Sequence, residues 1–264
     1  MAQITINIQT LDWTMGETVG LHLMLKKDSK AGIAWGDGRV QVVTGKQEQN
    51  SEKLTWVKAG HSYPEKGVNY TITICSEEED AIIGFDGCGM FEVKTFDVIL
   101  TECPSLRILG YSGYGGQWLD VSKNPLLEFI DFSAIRNEKL DFSANPLLEE
   151  LHIDGSEDLV SLDLSKNDKL RRLDIFMCHN LQHQVQAYGF PHCPVQRLDI
   201  DCNLCHNSLF LMFTTAKIMQ TSAMKACFQI AECSLSYTKL QVRCVKSWYK
   251  RENYLKNLCI TLYQ

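Results

Sequence analysis

The sequence predicts a mainly β protein, with a small β-sandwich at the N-terminus and a solenoid of short parallel strands behind it. Three observations lead there. Residues 1–75 alternate apolar and polar side chains in short runs separated by turn residues, the pattern of half-buried strands in a two-layer sheet. From Val98 onward an apolar motif returns at Leu119, Leu140 and Leu162, in steps of 21, 21 and 22 residues. A period of that length belongs to arrays of identical small units stacked side by side. At residue 207 both patterns stop.

The first strand is Ile4, Ile6 and Ile8 with polar neighbours, and Val19, Leu21, Leu23 and Leu25 alternate in the same way. Ile33-Ala-Trp35 and Val40-Gln-Val42 then flank Gly36-Asp37-Gly38, residues that supply the positive φ angles of a tight hairpin. Leu54-Thr-Trp56, His61-Ser-Tyr63, Gly67 and Tyr70-Thr-Ile72-Thr-Ile74 complete the series. The set Trp35-Gly-Asp-Gly38, His61-x-Tyr63, Gly67 and Tyr70-Thr-Ile-Thr-Ile74 resembles the core motif of immunoglobulin-like domains of the polycystic-kidney-disease (PKD) type. That resemblance implies a β-sandwich over residues 1–75, with His61 and Tyr63 packed under the sheet as structural residues. Residues 76–97, with the acidic run Glu77–Asp80 and Gly84, Gly87 and Gly89, read as a junction or an irregular first turn of the array.

The plainest repeat runs from Leu159 to Ile175, two units of L-x-x-L-x-L-x-x-N-x-x-L. In each copy Leu119, Val121 and Leu127, then Leu140, Phe142 and Leu148, then Leu162, Leu164 and Leu170 form one apolar trio. A second set follows eleven residues on, at Ile130 and Phe132, Leu151 and Ile153, Leu173 and Ile175, Leu198 and Ile200. Alternate residues of a strand point to opposite faces, so these side chains all enter one core while the residue between each pair faces water. No unit buries its apolar set alone; stacking does. Spacing and motif are those of leucine-rich repeats, here about five units of 21–25 residues over 98–206. A PKD-like domain followed by L-D-x-S-x-N-P-x-L units is similar to bacterial leucine-rich-repeat proteins, many of them exported or surface-attached. The resemblance implies recognition rather than catalysis.

Asn124, Asn145 and Asn167 recur five residues after the first leucine of each unit. Where the chain leaves the strand, backbone groups would be left buried and unpaired, and a side-chain amide can satisfy both a donor and an acceptor among them. These residues predict an asparagine ladder, with Cys178 and Ser156 in the equivalent place of the second half-repeat. The intervening strand positions form two columns: Asp120, Asp141 and Asp163, and Asp131, His152, Asp174 and Asp199. Stacked like charges are normally avoided on sheets. They are read here either as an acidic contact stripe for a basic or polyhydroxylated partner or for a cation, or as the solvated face of the repeat with each Asp bonded to a neighbouring turn.

Charge bounds the partners. Residues 1–206 carry 30 acidic and 18 basic side chains, a net of −12, against 2 and 8, a net of +6, in residues 207–264. The acidic part argues against nucleic acid, because it offers nothing to release phosphate counterions. No apolar run is long enough to span a membrane. The N-terminus lacks the basic start and apolar core of a signal peptide, so the chain as written is expected in the cytoplasm, or at the cell surface if a leader precedes it. Eleven irregularly spaced cysteines predict free thiols rather than a disulfide framework.

Chemistry finds little support. Cys202-Asn-Leu-Cys205-His206 matches the haem-attachment pattern but ends a repeat strand. Cys178, His179, His183, His192, Cys193, Cys202, Cys205 and His206 form a set of zinc-ligand types, read instead as ladder and outer-loop residues. The glycines at 84, 87 and 89 are in the wrong order for a dinucleotide loop, and no G-x-S-x-G, H-E-x-x-H or Walker motif occurs. No enzyme, cofactor or metal is expected. Residues 207–264 contain no Gly, Pro or Asp but four cysteines; they read either as a helical cap over the last repeat or as the product of a slipped reading frame. The function expected is recognition of a protein or glycan through the repeat surface, the alternative being a structural or adhesive role in which the sandwich binds.

Overall fold

The computed structural model describes residues 1–12, 19–48, 51, 53–90, 93–178, 180–181 and the segments 184–186, 197–200, 211–212 and 241–242. Alternation becomes strand from the start: β1 (Ala2–Thr10) buries Ile4, Ile6 and Ile8, and β2 (Val19–Leu25) buries Leu21, Leu23 and Leu25. The hairpin follows as β3 (Lys30–Ala34) and β4 (Val40–Thr44). Its positive φ angles fall on both glycines, Gly36 at 91° and Gly38 at 90°, leaving Asp37 between them free to accept from the Arg39 N–H at 3.1 Å. A Cβ on Gly36 would also lie 2.8 Å from the Thr71 carbonyl oxygen, so glycine is required there on both counts.

β5 (Lys46–Gln47), β6 (Leu54–His61), β7 (Asn69–Ser76), β8 (Ile82–Gly89) and β9 (Val93–Glu102) complete the N-terminal half. One layer is ordered β4-β3-β7-β1-β9 and the other β5-β6-β2-β8, all antiparallel. Much of the stretch read as a junction is therefore strand. β9 pairs with β1 along its length, and β8 pairs with β2.

Strands β10 (Ile108–Gln117), β11 (Phe129–Ile135), β12 (Lys139–Asp141), β13 (Glu150–Asp154), β14 (Ser161–Asp163), β15 (Arg172–Phe176), β16 (Gln184–Gln186) and β17 (Arg197–Ile200) follow, and all of them pair in parallel with one another. They make two ladders. The longer strands run β10-β11-β13-β15-β17, the three-residue strands β12-β14-β16. This is solenoid-like stacking: each coil gives one strand to each ladder, and its apolar set fills the space between. β18 (Leu211–Met212) and β19 (Gln241–Val242) add to the two ladders; the rest of the tail, and with it the cap and frame-slip readings, lies outside the described residues.

The two halves join layer to layer. β10 pairs in parallel with β8 through Ile108↔Gly84 to Tyr111↔Gly87, which continues the long-strand ladder into the β8-β2-β6 layer. On the other side Asp97 of β9 bridges to Trp118, one residue before the first leucine of the next coil. One contiguous apolar core consequently runs from Ala2 to Leu181. The sandwich presents to the first coil two ready-made strand edges, β8 and β9, which is what the end of a stacked array requires.

Candidate functional site

The turns that close each coil show why asparagine recurs. Asn145 N–H donates to the Phe142 carbonyl and Leu148 N–H to the Asn145 carbonyl, and the same pair of bonds occurs around Asn124 and Asn167. The carbonyls of each turn thus already accept one N–H of their own coil, and the asparagine of the next coil supplies a second donor to each. Asn145 Nδ2 donates to the Val121 carbonyl at 2.9 Å and to the Asn124 carbonyl at 2.9 Å. Asn124 does the same to Leu100 and Cys103, and Asn167 to Phe142 and Asn145. The amide therefore serves as a double donor, not as the donor–acceptor expected from sequence; the three Oδ1 atoms are buried without a hydrogen bond.

The second half-repeat uses weaker chemistry. Ser156 Oγ accepts from the Ile135 N–H at 3.1 Å and donates to the Asp154 carbonyl, while Cys178 Sγ donates to the Phe176 carbonyl at 3.1 Å. Two further residues that hold the coils went unread, Cys103 at the head of the asparagine ladder and Asn137. Cys103 stands five residues after Val98, the ladder offset, and points its thiol at the Ile82 carbonyl; burial pushes that thiol up to about 12. Asn137 brackets Leu119, accepting from its N–H at 2.8 Å and donating to its carbonyl at 3.0 Å. Asn137 stands in for a strand partner, at a position outside the period.

The two candidate columns have different fates. On the short-strand side Asp120, Asp141 and Asp163 each accept through Oδ1 the N–H two residues on, from Ser122, Ser143 and Ser165, at 2.9, 2.7 and 2.8 Å. Asp141 lies directly beside Asp163 in the register. Asp120 and Asp141 are exposed and Asp163 is half-buried. The Ser122 amide holds the Asp120 carboxyl below its ordinary range. Beside this column, two residues before Asp120, Trp118 is 56% exposed, and Ile99 on β9 is 43% exposed.

On the long-strand side Gly110, Asp131, His152, Asp174 and Asp199 share one register row, continued by Asp86 and His22 in the sandwich. Here the expectation of water-facing side chains fails for Asp174, which is only 4% exposed. Its Oδ2 receives His152 Nδ1 at 2.7 Å and the Arg172 guanidinium at 2.7 and 3.0 Å. Burial alone would raise the Asp174 carboxyl, but the hydrogen bond and charge of His152, then Arg172, outweigh it and hold the group low. Glu150 is lowered in the same sense: burial opposes it, and His152, Arg171 and Arg172 prevail. His152 itself is raised, because Asp174 and Glu150 outweigh the burial that disfavours its charge. Asp131 stands beside His152 in the row, whereas the side chain of Asp199 lies outside the described residues.

The same face carries a second apolar cluster, Met24, Ile108 and Phe129, with Leu54, Trp56 and Ile83 packed against it. Phe129 occupies the register position of Glu150 and Arg172 and is fully buried. Trp35, His61, Tyr63 and Tyr70 form a closed aromatic stack instead of an open site. His61 lies 5.2 Å from Trp35 and 4.7 Å from Tyr63, its Nε2 is 2.8 Å from Asp37 Oδ2, and Tyr63 O–H donates to the Trp35 carbonyl.

Among the described residues no group of three His, Cys, Asp or Glu side chains is disposed to hold a metal ion, and no helix is long and apolar enough to cross a membrane. His179, His183, His192, Cys193, Cys202, Cys205 and His206 lie outside them. Compared with protein-family models, with curated proteins and with solved structures, the chain gives no match.

Proposed function

We propose that this chain is a non-enzymatic recognition protein, a leucine-rich-repeat array seated on a PKD-like sandwich, which binds a protein or glycan through the outer face of its short strands. The observation that carries this reading is the column Asp120, Asp141 and Asp163, aligned by identical turns and flanked by the exposed Trp118 two residues before Asp120. Neighbouring strands lie about 4.8 Å apart, so these carboxylates repel one another in the free protein. A ligand bringing hydroxyl donors or cationic groups relieves that repulsion, and an exposed tryptophan gives it a large, rigid contact. Asp131, His152 and Asp174 are weaker candidates, since Asp174 and His152 are committed to each other and to Arg172 and Glu150.

The competing reading places binding on the sandwich. It draws support from Val40 and Val42, 69% and 63% exposed on β4, a strand at the end of its layer; such edges accept an added strand. Glycan-array and peptide-display selection with the full chain, repeated with Asp120, Asp141 and Asp163 together changed to Asn, distinguishes the two. Asn keeps the turn-capping oxygen and removes only the charge. Loss of the selected ligand with an unchanged fold supports the array face. Undiminished binding, lost instead with Val40→Lys and Val42→Lys, transfers the function to the sandwich.

A further inference from the structure

We propose that Glu150, His152 and Asp174, with Arg172, form a proton-controlled clasp that ties neighbouring coils together on the long-strand face, closed when His152 is protonated and loosened when it is not. This device is independent of what the other face binds. The imidazole of His152, on β13, sits between two carboxylates: Nδ1 is 2.7 Å from Asp174 Oδ2 on β15, and Nε2 is 3.7 Å from Glu150 Oε2. Its side chain is 12% exposed and the ring lies 5.3 Å from that of Phe129 on β11. A neutral ring can still donate from Nδ1 to Asp174, whereas only the protonated ring also presents Nε2–H and a positive charge to Glu150, across an ion-pair distance rather than a hydrogen bond.

The surrounding charges make that proton matter. Asp131 faces the ring from β11 and acts on its charge, and Asp154 lies two residues along β13. β15 contributes Asp174 and Arg172, with Arg171 just before it pairing to Glu150 Oε1 at 3.3 Å and to Glu149 Oε2 at 3.0 Å. Gly110, on the far side of Asp131, carries no side chain and supplies no charge. Four carboxylates, Asp131, Glu149, Glu150 and Asp174, thus confront two guanidiniums and His152. Loss of the proton leaves the carboxylates in excess in a region with little water to screen them.

The direction follows from linkage. A histidine raised by folding contributes its stabilisation in full below the unfolded midpoint, near pH ~6.5, and loses it as pH rises through the folded one. Glu150 and Asp174, lowered by folding, lose theirs only as pH falls below about 4. The clasp is therefore tightest in mildly acidic solution and slackens as the solution becomes alkaline.

Histidine-ring NMR of the full chain, with the His152 signal assigned by its absence in His152→Gln, measures the midpoint directly. A midpoint clearly above that of a free imidazole, falling in Asp174→Asn, is the expected result. Thermal unfolding should show His152→Gln lowered by about 2–4 °C at pH 5.5, with the difference closing by pH 9. A midpoint at or below the free value overturns the proposal, as does an unfolding difference equal at both pH values. If Asp174→Asn does not fold, the titration of the unaltered chain decides.

Discussion

The two faces of the array carry acids at equivalent outward positions, yet one turns each of them back on its own chain and the other buries Asp174 in contacts across the sheet. On the short strands the residue two places after each Asp presents a free N–H, and the carboxylate turns back on its own chain. On the long strands the neighbours are Arg172, Glu150 and His152, so the carboxylate of Asp174 turns across the sheet. The lesson is that a repeat motif determines which positions point outward, while the side chains on adjacent coils determine whether an outward position is a surface. The ladders beneath differ in the same way: two amide donors per coil on the short-strand side, a hydroxyl or thiol on the other.

The largest effect that would sharpen this contrast is expected from Asn145→Leu. It removes the second donor from two buried carbonyls, those of Val121 and Asn124, which keep their own turn N–H, and sets a branched apolar side chain in the amide's place, so it should cost about 2–4 kcal/mol in equilibrium denaturation. A loss under ~1 kcal/mol would show that the asparagine ladder is not what holds the coils. Asp174→Asn comes next, at roughly 2–3 kcal/mol, because it removes the charge that three donors face. Cys178→Ala, on the weaker ladder, should cost about 1 kcal/mol. Asp141→Asn keeps its turn and should stay within ~0.5 kcal/mol of the unaltered chain; if it matched Asp174→Asn, the two faces would not differ as described.

Much of this was legible in the residues, for local reasons. Ile4, Ile6, Ile8 and the leucine trios of the coils follow strict periods, and each of them is buried in one core. The ladder offset was legible too, and Asn124, Asn145 and Asn167 occupy equivalent bonds. What escaped the sequence is pairing over distance. β9 joins β1 across about ninety residues, as in Asn7↔Asp97, and no run of alternation in Val93–Glu102 announces that partner. The burial of Asp174 depends on His152 and Arg172, and that of Phe129 on Met24 and Ile108, contacts that exist only once the register is set. Cys103 carried a usable signal, its offset from Val98; Asn137 carried none, since it substitutes for a strand partner off the period.

This continuity of core makes the sandwich the foundation of the array rather than a neighbour of it, and native-state hydrogen exchange tests that most directly. In the full chain with Asn145→Leu, the amides of β1 (Ala2–Thr10) and β13 (Glu150–Asp154) should lose protection together and by the same factor, as parts of one cooperative unit. Protection of β1 left intact while that of β13 collapses would contradict it, and would divide the molecule into two bodies that merely touch.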